Sequence, residues 1–145
     1  MNFTQRPATP LDLAFLFELR RLTMDEYLRQ DGLSTAPEEH LKRIEYCFED
    51  AKIIEFNQQP IGLFKLKYHA DDNQWVVIQI QIHPDFQNKK IATRLLSSLM
   101  EKAGQSHGSI ALSVLKSNPA IKLYNTLGFK QVAESDAEYH LLYET

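Results

Sequence analysis

The chain has 145 residues, 43% of them hydrophobic and 24% charged, with a net charge of −3 at pH 7. That length fits one globular domain with a single sizeable core, and the composition argues against disorder. The charge balance offers no basic footprint for nucleic acid, although a basic pocket for a small anion is compatible with it. The single Cys47 cannot close an internal disulfide, which points to a reducing cytoplasm. No apolar run reaches the roughly eighteen residues of a membrane span, and the first residues lack the layout of a signal peptide. A soluble intracellular protein with no membrane partner is expected.

In chain order, residues 2–6 read as a short extended edge strand. Thr9-Pro10-Leu11-Asp12 reads as a helix start, with Thr9 as cap, Pro10 at the first helical position and Asp12 at the positive end of the dipole. Leu11, Phe15, Leu19 and Leu22 follow at helical spacing and predict the buried stripe. Asp31-Gly32 breaks that pattern. Thr35-Ala36-Pro37-Glu38 resembles a capping box, with Leu41, Ile44 and Phe48 as the apolar face behind it. Residues 52–56, 61–69 and 74–83 then read as three strands joined by turns at 57–60 and 71–73, an antiparallel meander.

Val76, Ile78, Ile80 and Ile82 alternate with Val77, Gln79 and Gln81, which predicts a strand with one aliphatic face. Pro84 cannot donate to a ladder, so pairing should end near His83. Ile91, Leu95 and Leu99 mark a helix with Gly104 near its end, and residues 109–115 read as a strand. Strand, helix and strand in that order predict a right-handed parallel crossover. Asn118-Pro119 opens a short helix that stops at Gly128, and two last strands are expected at 129–133 and 139–143. No repeat, low-complexity segment or linker divides the chain, so residues 1–145 are expected to form one domain. The fold class is a mixed α/β sheet, antiparallel first, with one parallel crossover.

The stretch between Phe86 and Ile91 is the most informative for chemistry. A helix N-terminus presents unpaired N–H groups and a positive dipole end, and Lys89 and Lys90 add charge where a phosphate could sit. A core helix with solvated lysines is the simpler account of the same residues. The run Ile82-His83-Pro84-Asp85-Phe86-Gln87-Asn88-Lys89-Lys90-Ile91-Ala92 resembles the acyl-CoA signature of the GNAT superfamily of N-acetyltransferases. Gln87 and Ala92 match its first and last positions. Asn118-Pro119-Ala120, Tyr124 and Leu127-Gly128-Phe129 resemble the family's second signature. The order of elements matches as well, so the resemblance covers nearly the whole chain. One position departs: Lys90 stands where the family has glycine, whose missing Cβ lets backbone approach a pyrophosphate closely.

The resemblance implies a sheet of about six to seven strands flanked by about four helices. It implies acetyl-CoA as acetyl donor, held by the backbone of Ile80 and Ile82 along the pantetheine arm. The backbone N–H groups of Gln87, Asn88, Lys89, Lys90, Ile91 and Ala92 would hold the pyrophosphate. Asn118 is either a pantetheine contact, a helix cap, or both. Tyr124 is the candidate general acid for the departing thiolate, against the alternative of a packing tyrosine. Relatives often carry a glutamate on the strand of Gln79 and Gln81, and glutamine cannot take up a proton. Glu138, His140, His83 or a water chain remain for the base. Tyr27, Arg29, Asp31 and Glu26 lie where such folds shape the acceptor site, and Tyr68 with Trp75 could wall it, although cross-strand packing is their default. The amine acceptor itself is not legible, and the resemblance leaves a homodimer open. No metal-ligand spacing occurs. The activity implied is N-acetyl transfer by direct attack of a primary amine; the alternative is a non-catalytic acyl-CoA-binding or sensing module of the same fold.

Overall fold

The computed structural model describes residues 2–145. Seven strands form one sheet: β1 (Thr4–Pro7), β2 (Ala51–Phe56), β3 (Gln59–His69), β4 (Gln74–Ile82), β5 (Ser109–Leu115), β6 (Lys130–Glu134) and β7 (Glu138–Glu144). Their order is β1-β2-β3-β4-β5-β7-β6, and every neighbouring pair is antiparallel except β4 and β5. Four helices flank it: α1 (Leu13–Gln30), α2 (Pro37–Glu45), α3 (Ile91–Gln105) and α4 (Ile121–Leu127). The expected mixed sheet, meander and parallel crossover are all present.

Two apolar cores lie on opposite faces of the sheet. Leu16 and Leu19 of α1 and Ile44 of α2 pack on Ala51, Ile53 and Leu63. Ile91, Leu95, Leu96 and Leu99 of α3, with Tyr124 and Phe129, pack on the other face against Ile54, Phe64, Val77 and Leu112. The spacing of α3 is thus as the sequence predicts. That of α1 is not: Leu11 is 94% exposed and Leu22 also faces solvent, while Leu16, Leu19, Arg20 and Leu28 are buried. Pro10, Leu11 and Asp12 form a separate 3-10 turn, so the helical phase starts at Leu13 and rotates the stripe. The Asp12 carboxylate accepts the Thr9 N–H at 2.8 Å and pairs with Arg6 at 2.8 Å, which holds its pKa below the usual carboxylate range. Thr9 does cap the 3-10 turn, but position 35 is not the cap of α2. Ala36 precedes α2 with no side-chain cap bond, and Leu41 is exposed.

Strand β4 departs from simple alternation. Lys65 pairs with Gln79 but Leu66 with Val77, so Ile78 is an extra residue, a bulge, on β4. The phase flips there. Val77, Ile80 and Ile82 belong to the α3 face, whereas Gln79 and Gln81 are buried opposite Lys65 and Leu63 on the α1/α2 face. The four aliphatic residues therefore do not share one face. Gly62 lets β3 lie this close, since a Cβ there would stand 2.6 Å from the Gln81 carbonyl oxygen.

Candidate active site

The parallel β4–β5 ladder is short. It pairs Gln74 with Ser109 through Val77 with Leu112 and then stops, although β4 continues to Ile82 and β5 to Leu115. The strands diverge beyond the bulge. The His83 N–H donates to Ile61 at 2.8 Å, so alternation turns the backbone groups of Gln81 and His83 toward β3 and those of Ile80 and Ile82 toward the gap. The Gln87 side chain takes the Ile82 carbonyl at 3.0 Å. Among the described residues no strand pairs with the Ile82 N–H or with the two polar groups of Ile80 on the gap side.

At the end of this edge, Pro84 starts a 3-10 turn capped by His83, whose Nδ1 accepts the Asp85 N–H at 3.1 Å. The chain then enters α3 through two left-handed residues, Asn88 at φ 62° and Lys90 at φ 61°. Lys90, where the sequence motif departs from glycine, thus adopts the conformation that glycine serves, at a cost of about 1–2 kcal/mol for a residue with a Cβ. Lys90 caps α3 with no side-chain bond, and its carbonyl accepts the first helical N–H, from Arg94, at 3.0 Å. The N–H groups of Ile91 and Ala92 lie in that first turn, where no helical partner exists. Backbone of alternating hand followed by a helix start makes an anion-binding concavity.

A cleft of about 330 Å³ occupies the gap, lined by Val77–Gln81 of β4, Leu112–Leu115 of β5, Asn118, Tyr124, Glu138 and residues of α1 and α2. The Asn118 Oδ1 accepts the Ala120 N–H at 2.9 Å, so it shapes the turn before α4 and lines the cleft at once. Tyr124 packs edge-on against Phe129 at 5.9 Å, and burial pushes its phenol up to about 12. Its hydroxyl is therefore protonated at neutral pH. Asp31 ties the α1 end to the β5–α4 turn: its Oδ2 accepts from the Ser117 N–H at 3.1 Å and hydroxyl at 2.9 Å, while that hydroxyl lies 3.2 Å from the Tyr27 carbonyl. Tyr27 and Asp31 frame the cleft rather than line it.

The structure separates the base candidates. His83 is spent in its turn outside the cleft. Glu138 lines the cleft, and His140 lies in an adjoining groove of about 510 Å³, its Nδ1 2.7 Å from the Ser113 hydroxyl. Tyr68 and Trp75 stack at 4.7 Å with Lys102 of α3 over the indole, so they pack the other face and wall nothing. Three residues that sequence reading passes over line or support the acceptor side. Arg20 donates from Nε to His40 Nδ1 at 3.0 Å, and His40 Nε2 meets Asp25 Oδ1 at 2.6 Å. Since Nδ1 accepts from the guanidinium, Nε2 is the ring nitrogen that faces Asp25. These partners are 15 and 20 residues apart, a distance at which no local signal exists.

The profile of the Acetyltransferase (GNAT) family matches residues 16–129. Among solved structures, a PaiA N-acetyltransferase from Thermoplasma acidophilum in complex with coenzyme A is 18% identical, with TM-score 0.75 over 100% of both chains. An acetyltransferase from Thermus thermophilus is 18% identical, with TM-score 0.76 over 100% of this chain and 98% of the other. The ribosomal-protein-S18-alanine N-acetyltransferase from Escherichia coli is 15% identical, with TM-score 0.70 over 99% and 94%. No curated protein sequence matches significantly.

Proposed function

The chain belongs to the Acetyltransferase (GNAT) family, and from that premise we propose that it moves an acetyl group from acetyl-CoA to a primary amine by direct attack in a ternary complex. The observation that carries this reading is the four-pair β4–β5 ladder, which opens the sheet where buried Tyr124 lines the gap. The residues present fit the donor. The free edge of Ile80 and Ile82 suits the amide groups of pantetheine, as an added strand. With its Oδ1 committed, Asn118 has its amino group left for the same arm. The left-handed loop of Asn88 and Lys90 and the first N–H groups of α3 suit a pyrophosphate, with Lys89 and Lys90 adding charge. Bound there, the donor supplies a thioester carbonyl open to an amine.

The protein's own part is positioning and proton handling. Tyr124 holds a proton at Oη and offers it as a hydrogen bond to the departing sulfur. Burial lifts any thiolate beside it as it lifts the phenol, which favours sharing that proton. Glu138 is the carboxylate available to take the amine's proton, directly or through water, because Gln79 and Gln81 have no such capacity. One acetyltransferase domain over residues 1–145, working in the cytoplasm, is the simplest setting. Among the described residues no helix is long and apolar enough to cross a membrane.

Acetyl-CoA should raise the melting temperature, and an amine panel should release free thiol. The Tyr124→Phe variant should lower kcat by about a hundredfold while the CoA dissociation constant stays close to wild type. A full rate under chemistry-limited conditions would remove Tyr124 from the reaction. Lys90 and the two glutamines favour one rival, the acyl-CoA-sensing module, which a thermal shift without thiol release would identify.

A further inference from the structure

The cleft has a cationic wall that acetyl transfer alone does not require. Arg20 is only 7% exposed, lines the cleft, and bonds only His40 among the described residues, through Nε. Among those residues neither Nη group has a hydrogen-bond partner and no carboxylate pairs with it. Asp25, which bears on it electrostatically, is hydrogen-bonded to His40. A buried guanidinium without a carboxylate partner destabilises a fold, so its retention asks for an explanation. Arg43 of α2 lines the same cleft and repels Arg20, which adds to the effect of burial in lowering the Arg20 pKa to about 10. Gln79 of the same cleft is 8% exposed, and its Oε1 is buried with no hydrogen-bond partner among the described residues. The one carboxylate on the wall, Glu39, is paired with Lys42 at 3.2 Å. Glu138 of β7 lines the same cleft and has no ion pair among the described residues. The cleft thus gathers two guanidinium groups from α1 and α2 and a carboxylate from β7.

We propose that the acceptor is a small amine bearing a carboxylate, with the carboxylate seated on Arg20 and Arg43 and the amine on the Glu138 side. This rests on the acetyl-transfer reading above and narrows its substrate class to amino carboxylic acids. Guanidinium groups suit the planar, bidentate geometry of a carboxylate. A site with buried donors left unpaired rejects the analogue that lacks the matching group. A free amino acid and a peptide terminus share this chemistry.

The test compares amines that differ only in that group: lysine with 1,5-diaminopentane, and ornithine with 1,4-diaminobutane, with a lysyl tripeptide as a third arm. Thiol release with saturating acetyl-CoA is the readout. The acid-bearing member of each pair should be preferred by about tenfold or more in kcat/KM. In Arg43→Gln, an exposed position that should fold, that preference should shrink several-fold; Arg20→Gln should abolish it. Equal use of both members, or preference for the diamines, overturns the carboxylate seat and leaves acetyl transfer standing. An unchanged preference in Arg43→Gln overturns it as well. If acetyl-CoA gives no thermal shift and no amine releases thiol, the acetyl-transfer reading falls and takes the seat with it. A tripeptide better than both lysine and its own C-terminal amide upholds the seat and assigns the carboxylate to a peptide; one used no better than that amide overturns it.

Discussion

Two buried cations face the same side of the sheet, and the fold treats them differently. Lys65 of β3 is 1% exposed, and its Nζ donates to the carbonyls of Arg43, Ile44 and Tyr46 at 3.2, 3.0 and 2.7 Å. Those carbonyls belong to the last turn of α2 and the residue after it, where helical acceptors lack partners and the dipole favours a cation. Each of its three donors is used. Arg20 of α1 is buried almost as well, yet among the described residues it spends one donor on His40, and it lines the cleft. A buried charge with every donor satisfied fastens α2 to the sheet. One left half-satisfied beside a cavity is waiting for something outside the chain.

The largest way to break this contrast is Lys65→Met, which leaves three carbonyls bare. It should cost about 3 kcal/mol in denaturant unfolding. The second test is pH. Burial lowers the Lys65 pKa to about 8 from its ordinary 10.5, so between those values the unfolded chain binds more protons than the folded one. Stability contributed by this group then rises with pH across that window. The wild type should gain up to about 2 kcal/mol relative to Lys65→Met between pH 7.5 and 10, measured by urea midpoints in parallel. Arg20→Met should cost only about 1 kcal/mol, since losing the His40 bond is offset by removing an unpaired charge. A cost as large as that of Lys65→Met would make Arg20 a structural residue. Smallest, Lys90→Gly should change stability by less than about 1 kcal/mol, because relieved left-handed strain is set against a more flexible unfolded chain. Tighter CoA binding in that variant, read by calorimetry, would mark the lysine Cβ as an obstacle.

Most of the architecture is legible in the residues because its signals are local. Turn residues separate β2, β3 and β4, and Ile91, Leu95 and Leu99 phase α3 without ambiguity. The β5 strand runs over the expected 109–115. Leu11 and Leu22 mislead because the 3-10 turn before α1 resets the helical phase, which no propensity reports. The loop of Gln87, Asn88, Lys89 and Lys90 can be picked out from sequence, but the left-handed geometry of Lys90 cannot. Arg20, Asp25 and His40 are invisible for a different reason. Each is an ordinary polar residue on a helix until α1 and α2 pack, and burial rather than identity gives the group its meaning.

The extra residue at Ile78 has a consequence for folding fidelity. Without it, Val77, Gln79 and Gln81 would share one face, and two carboxamides would enter the apolar layer under α3. A one-residue slip of β4 against β3 carries the same penalty. Irregularity at this point thus acts as a register lock, selecting the correct pairing during assembly by making the nearest wrong one the most costly.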